Sequence, residues 1–172
     1  GAGFDSVDIE EAGKYGIYVC NTPGANAYAV AELTVALMLA VGRKLICHDR
    51  KVHQGEWSKN TFLNQTRTLN NKVVGIIGGG NIGRQVASRV QAFGSTVQYY
   101  DPFRLPEEME EKLHMKYVGL EELIRTSDVI TLHVPLMDST RHMIGEKEIE
   151  KMKEFMNTES NYKKSSLITI VP

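Results

Sequence analysis

Val73-Val74-Gly75-Ile76-Ile77-Gly78-Gly79-Gly80-Asn81-Ile82-Gly83-Arg84-Gln85-Val86 is the stretch on which the fold turns. Its opening residues are β-branched around one glycine, a strand pattern. Gly78, Gly80 and Gly83 then form a Gly-x-Gly-x-x-Gly turn that leads into a helix expected over residues 82–93, ended by Phe93-Gly94. The next strand, expected over 97–101, finishes in Asp101, eighteen residues after Gly83. Glycine-rich turns are common, but a strand, the turn, a helix and a second strand closing on an acid form one specific unit.

Each position has a physical reason. Gly78 permits the tight strand-to-helix turn, Gly80 lets the backbone approach a pyrophosphate with no Cβ in the way, and Gly83 lets the helix pack closely on the strand. The helix N-terminus offers free N–H groups and partial positive charge to the phosphates. Asp101 is placed to accept hydrogen bonds from the adenosine ribose, and its charge repels a 2′-phosphate, which favours NAD over NADP. Arg104, close by, argues the other way.

Downstream the chain alternates: a helix over 106–113, a strand at 117–118, a helix over 120–125, a strand over 129–134, a helix over 146–155 and a strand over 167–171. Strands separated by helices predict an α/β, Rossmann-type doubly wound parallel sheet with helices on both faces. Upstream, residues 9–15 predict a short helix, 17–19 a short buried strand, and 27–48 the most apolar helix of the chain. That helix carries Val30, Leu33, Val35, Leu37, Met38, Leu39, Val41, Leu45 and Ile46 over more of its circumference than one sheet face covers. A homodimer built around it is expected, the alternative being cover by a substrate domain. Residues 55–71 form a polar crossing in which Trp57 and Phe62 are expected to anchor the loop.

Of 172 residues, 42% are hydrophobic, and 20 Lys and Arg face 21 Asp and Glu, so neither nucleic acid nor an anionic membrane surface is an expected partner. The apolar run 35–41 falls short of the ~20 residues of a membrane span. Cys20 and Cys47 make no paired framework, which points to a reducing, cytoplasmic setting. No metal is expected, because His48 and His53 do not share a helix face. Glu32 is expected to cap or pair within the interior, Glu107-Glu108 and Glu110-Glu111 to form a solvated helix face, and His133 to be a satisfied core or cofactor-adjacent histidine.

Several stretches together resemble one family. Gly1-Ala2-Gly3-Phe4-Asp5-Ser6-Val7-Asp8, Gly16-Ile17-Tyr18-Val19-Cys20-Asn21-Thr22-Pro23-Gly24, Ala29-Val30-Ala31-Glu32, the Gly78–Gly83 turn, Tyr100-Asp101-Pro102 and 127–136 all resemble D-isomer-specific 2-hydroxyacid dehydrogenases. The resemblance runs over nearly the whole chain. It implies NAD as cofactor, with Asn81 and Ile82 at the pyrophosphate, Asp101 at the ribose, and Val134, Pro135 and Thr140 beside the adenosine half. It implies hydride exchange with a small 2-hydroxy or 2-keto acid. A non-catalytic relative that uses NAD for structure or sensing, as related transcriptional corepressors do, is the other class; Ala29-Val30-Ala31-Glu32 fits the enzymes better.

The resemblance also implies an Arg immediately after Pro172 and a Glu and a His further on, none of them in this chain, so the chain alone is expected to be inactive. The opening lacks an initiator Met and the close is a strand, so a longer natural protein is expected. Residues 1–21 are then a remnant of the substrate domain and linker, and 22–172 the dinucleotide domain. Ile170, where the family usually has Asn, and an insertion at 154–162 depart from the pattern.

Overall fold

The computed structural model describes residues 3–4, 6–57, 59–153 and 167–170. At its centre lies β1 (Val73–Ile77), whose Val74, Ile76 and Ile77 are fully buried. Beside it run β2 (Thr96–Tyr100), β3 (Met115–Tyr117), β4 (Val129–Leu132) and β5 (Leu167–Ile170). The five are all parallel, in the order β3-β2-β1-β4-β5. From β1 the chain winds outward through β2 and β3, then crosses back to β4 and β5 on the other side. The strand order therefore reverses between β1 and β4, which opens a crevice at the carboxyl ends of those strands.

Helices cover both faces, as alternating strands and helices require. On one face α2 (Ala27–Gly42) and α4 (Asn81–Ala92) bring Ala31, Val35, Met38, Val86, Ala87 and Val90 onto Val74, Ile76, Val97 and Tyr99. On the other, α6 (Leu120–Thr126) and the end of α7 (Glu146–Lys151) supply Leu123, Ile124 and Met152 against Ile77 and Ile130. Gly75 allows α6 this close, because a Cβ there would run into Ser127 Oγ and lie 2.7 Å from a Leu123 methyl. α5 (Glu107–Leu113) follows β2, while α1 (Ile9–Lys14) precedes the sheet and buries no residue.

Four sequence expectations need correction. Residues 17–19 are not a strand: Ile17 and Tyr18 are exposed, and no strand of the sheet pairs with them, so their backbone finds no ladder. The helix expected over 27–48 is two helices, α2 and α3 (Leu45–His53), broken at Lys44 with φ 54° and ψ 34°. Gly42 O accepts a 2.6 Å hydrogen bond from Arg67 N at the end of the polar crossing, so the end of α2 is tied to a returning chain and not propagated. Trp57 is 85% exposed and anchors nothing, whereas Phe62 meets the His48 ring edge-on at 5.0 Å. Glu32 lies on the surface, 3.7 Å from Arg89, because position 32 falls on the face of α2 turned away from the core. The residues expected to extend α7 past 153, and the 154–162 insertion, lie outside the described residues; Ile170 closes β5, in register with Leu132.

Candidate functional site

The turn from β1 into α4 sits in the crevice. Gly78 has φ +105°, its N–H donates to Tyr100 O at 2.8 Å, and a Cβ on it would lie 2.5 Å from the His133 carbonyl oxygen. It is held between the ends of β2 and β4 with no room for a side chain, a position only glycine fills. One turn into α4, a Cβ on Gly83 would clash with the Gly78 carbonyl and crowd Ile76. Gly80, the residue before α4, differs from both: a Cβ there would meet nothing within 4 Å. Space over Gly80 is open. No side chain caps α4 and its first turn holds no acid, so its leading N–H groups face that space without an internal anionic partner.

Asp101 closes the turn from the β2 side. Its Oδ2 accepts from Gly79 N at 2.8 Å and its Oδ1 from Phe103 N at 2.9 Å. Each oxygen keeps a further lone pair for an outside donor. Arg104 is turned away from this carboxylate. Its Nε and Nη2 each lie 2.8 Å from the Glu110 carboxylate, and its guanidinium lies over the Tyr117 ring at 5.2 Å. Tyr99 OH donates to the same carboxylate and accepts from Leu105 N at 2.9 Å. The paired guanidinium, with the Tyr99 hydroxyl second, holds the Glu110 carboxyl down to about 2, while burial and then Glu110 push the Tyr99 phenol up to about 12. Glu110 is therefore buried and paired, and the solvated acidic face expected of α5 does not include it.

On the opposite wall, His133 N continues the ladder onto Ile77 O at 2.7 Å, and Val134 packs against the core beside Gly78. Thr140 Oγ1 donates to Pro135 O at 2.6 Å and accepts from Met137 N at 2.8 Å, which closes the loop over 135–140 on itself. The structure thus brings Gly78–Gly83, Asp101 and Val134 around one crevice. Pro135 and Thr140 follow in the loop after β4, where the Thr140 hydroxyl is bonded within that loop.

The sequence model of the D-isomer specific 2-hydroxyacid dehydrogenase NAD binding domain matches residues 35–157, more than half of the chain. The chain belongs to that family. A glyoxylate reductase of Thermococcus litoralis is 47% identical over 158 residues, 88% of this chain and 47% of the relative. A hydroxypyruvate reductase of Thermotoga maritima is 44% identical over 90% of this chain and 48% of its own length. Among solved structures, the D-lactate dehydrogenase of Aquifex aeolicus complexed with NAD and lactic acid superposes with a TM-score of 0.78 at 37% identity, over 89% of this chain and 45% of that one. The chain spans about half the length of the curated relatives it matches.

NAD is the cofactor of this dehydrogenase domain, and the residues present fit it. The open space over Gly80 admits a pyrophosphate, the uncapped α4 supplies N–H donors to it, and the acceptor oxygens of Asp101 stand at the end of β2. Two residues escaped the sequence reading. Arg84 donates through Nε to Gly80 O at 3.2 Å and through Nη2 to Asn81 Oδ1 at 2.8 Å, which puts a guanidinium beside the turn. Glu110 decides where Arg104 points; an Arg and a Glu six apart across a loop carry no pattern that reveals a pair. Of the two expectations for His133, a satisfied core histidine or a cofactor-adjacent one, the first needs correction: Nε2 lies 2.9 Å from Thr131 Oγ1, but Nδ1 is buried without a hydrogen-bond partner. Burial lowers its pKa to about 4 and keeps it neutral.

Proposed function

We propose that this protein is the dinucleotide-binding part of an NAD-dependent D-2-hydroxyacid dehydrogenase that passes a hydride between NAD(H) and a small 2-hydroxy or 2-keto acid. The observation that carries the reading is the Gly78–Gly83 turn at the strand-order reversal, with Asp101 clamped to Gly79. The turn and the first N–H groups of α4, at Asn81 and Ile82, hold the pyrophosphate; Asp101 takes the ribose hydroxyls; Val134 and Pro135 flank the adenosine half. Thr140 acts through the shape of its loop. Bound NAD supplies the hydride acceptor. The named activities of the relatives, glyoxylate and hydroxypyruvate reduction, support a 2-keto acid of few carbons.

The substrate-holding Arg and the Glu and His of proton transfer are assigned outside residues 1–172. Residues 1–21 are assigned to the substrate domain and linker, and 22–172 to the dinucleotide domain, a division supported by α1 burying nothing. The exposed Leu33, Leu37, Val41, Leu45 and Ile46 support a homodimer through α2 and α3. Two exposed free cysteines suit a reducing, cytoplasmic setting, and no helix among the described residues is long and apolar enough to cross a membrane.

Calorimetric titration of the chain with NAD and NADP tests the reading. NAD binds more tightly, and Asp101→Ala weakens NAD by about tenfold, the loss of one or two charge-assisted hydrogen bonds, while sparing NADP. Tighter binding of NADP by the unmodified chain would contradict it.

A further inference from the structure

Arg104 lies in the loop that follows Asp101, the loop that meets the 2′ position of a dinucleotide's ribose in a fold of this type. A guanidinium there is the group that accommodates a 2′-phosphate. In this molecule it is committed elsewhere. Both neighbours of Arg104 are pinned by their backbone N–H groups, Phe103 to Asp101 Oδ1 and Leu105 to Tyr99 OH, so the main chain of Arg104 is fixed beside the ribose acid. With the main chain held, side-chain rotamers alone set where the guanidinium lies. Glu110 selects one of them: two 2.8 Å contacts form a fork on the guanidinium, and the Tyr117 ring lies beneath it. Glu110 in turn is anchored by Tyr99 OH, whose own ring is fully buried in the core.

We propose that Glu110 is a positioning residue for cofactor choice, holding Arg104 against α5 and Tyr117 so that Asp101 faces the ribose without the Arg104 guanidinium beside it. The proposal rests on the NAD reading above. Either destination of a released guanidinium weakens discrimination against NADP. Paired with Asp101, it cancels the charge that repels a 2′-phosphate; left free, it takes the phosphate itself. Asp101 alone is thus insufficient for selectivity, and a residue nine positions further along the chain completes it. The low pKa of Glu110, about 2, means that the fork stays charged across the range in which dinucleotides are assayed.

Glu110→Gln is the test. The amide keeps the shape, but where its oxygen goes on accepting from Tyr99 OH and Arg104 Nε, its NH2 group takes the place of the oxygen that accepted from Arg104 Nη2, donor against donor, so the fork opens. Titration of folded protein with NAD and with NADP reads the result, with far-ultraviolet dichroism reporting the fold. Glu110→Gln should tighten NADP by about tenfold relative to NAD, the scale of one hydrogen bond between charged groups. Arg104→Ala in the native background should leave the ratio of the two affinities unchanged, and Glu110→Gln/Arg104→Ala should abolish the gain. Glu110→Asp, which keeps the charge and withdraws the carboxylate by one methylene, should move the ratio in the same direction and serves if the amide variant does not fold. An unchanged ratio in folded Glu110→Gln or Glu110→Asp, a gain that survives removal of Arg104, or a loss of NADP affinity on Arg104→Ala alone would overturn the proposal while leaving the NAD reading intact. A native chain that bound neither dinucleotide would overturn both.

Discussion

Gly80 and Gly83 are three residues apart and do different work. A methyl on Gly83 would enter the Gly78 carbonyl and press on Ile76, so Gly83→Ala must open the turn or shift α4; it should lower stability by about 1–3 kcal/mol and abolish NAD binding together. A methyl on Gly80 would meet no protein atom, and its φ of −71° is open to any residue, so Gly80→Ala should leave stability within about 0.5 kcal/mol. It should still weaken NAD by about tenfold or more, because the methyl occupies the space that the pyrophosphate needs. Thermal unfolding beside calorimetry checks the pair; unchanged NAD affinity in a stable Gly80→Ala would show that the open space is not where the ligand goes. His133 adds a pH dependence. Its folded-state pKa is lowered from 6.5 to about 4, so between those values the unfolded chain binds a proton that the folded chain refuses. Stability should therefore fall as pH drops from 6.5, by about 3 kcal/mol once pH is below 4. The part of that slope between pH 6.5 and 5 should disappear in His133→Leu, and an unaltered slope would contradict the assignment.

Among the elements, α2 poses the clearest question of packing. Ala27, Ala31, Thr34, Val35 and Met38 are buried against the domain, while Leu33, Leu37 and Val41, spaced by four, form a second stripe that the domain leaves uncovered. Such a stripe, continued by Leu45 and Ile46 at the start of α3, is a surface suited to a second copy. Sedimentation at micromolar concentration should show a dimer that Leu37→Glu converts to monomer; a monomer unaffected by that change would contradict the two-fold contact. The surplus of apolar residues on this helix was legible in the sequence because it depends on composition and period alone. The break at Lys44 was not, since it depends on Arg67 N reaching Gly42 O across twenty-five residues. The exposure of residues 17–19 was hidden for a similar reason: an apolar triplet looks like a strand, but whether a ladder stands beside it is a matter of tertiary structure.

At the scale of the molecule, the sheet was readable because five strands alternate with helices and one turn must be glycine-rich. The same pattern located the crevice and named Gly78, Gly83 and Asp101, each of which the structure places against it. What escaped the sequence is the set of side-chain pairs that depend on chain reversal: Glu110 with Arg104 and Tyr99, Asp101 with Gly79, Thr140 with Pro135. The proposed function gives residues 1–172 the cofactor cradle and assigns the proton-transfer pair elsewhere, so the purified chain should bind NAD yet show no enzyme-dependent oxidation of NADH with any 2-keto acid; measurable turnover would contradict the assignment of roles. The most direct test of the cradle is an amide-resolved NMR titration of the chain with NAD. The account predicts saturable shifts concentrated at Gly79, Gly80, Asn81, Ile82, Gly83 and Asp101, with smaller ones at Val134. Saturable binding that leaves those amides unmoved and shifts another surface would contradict it.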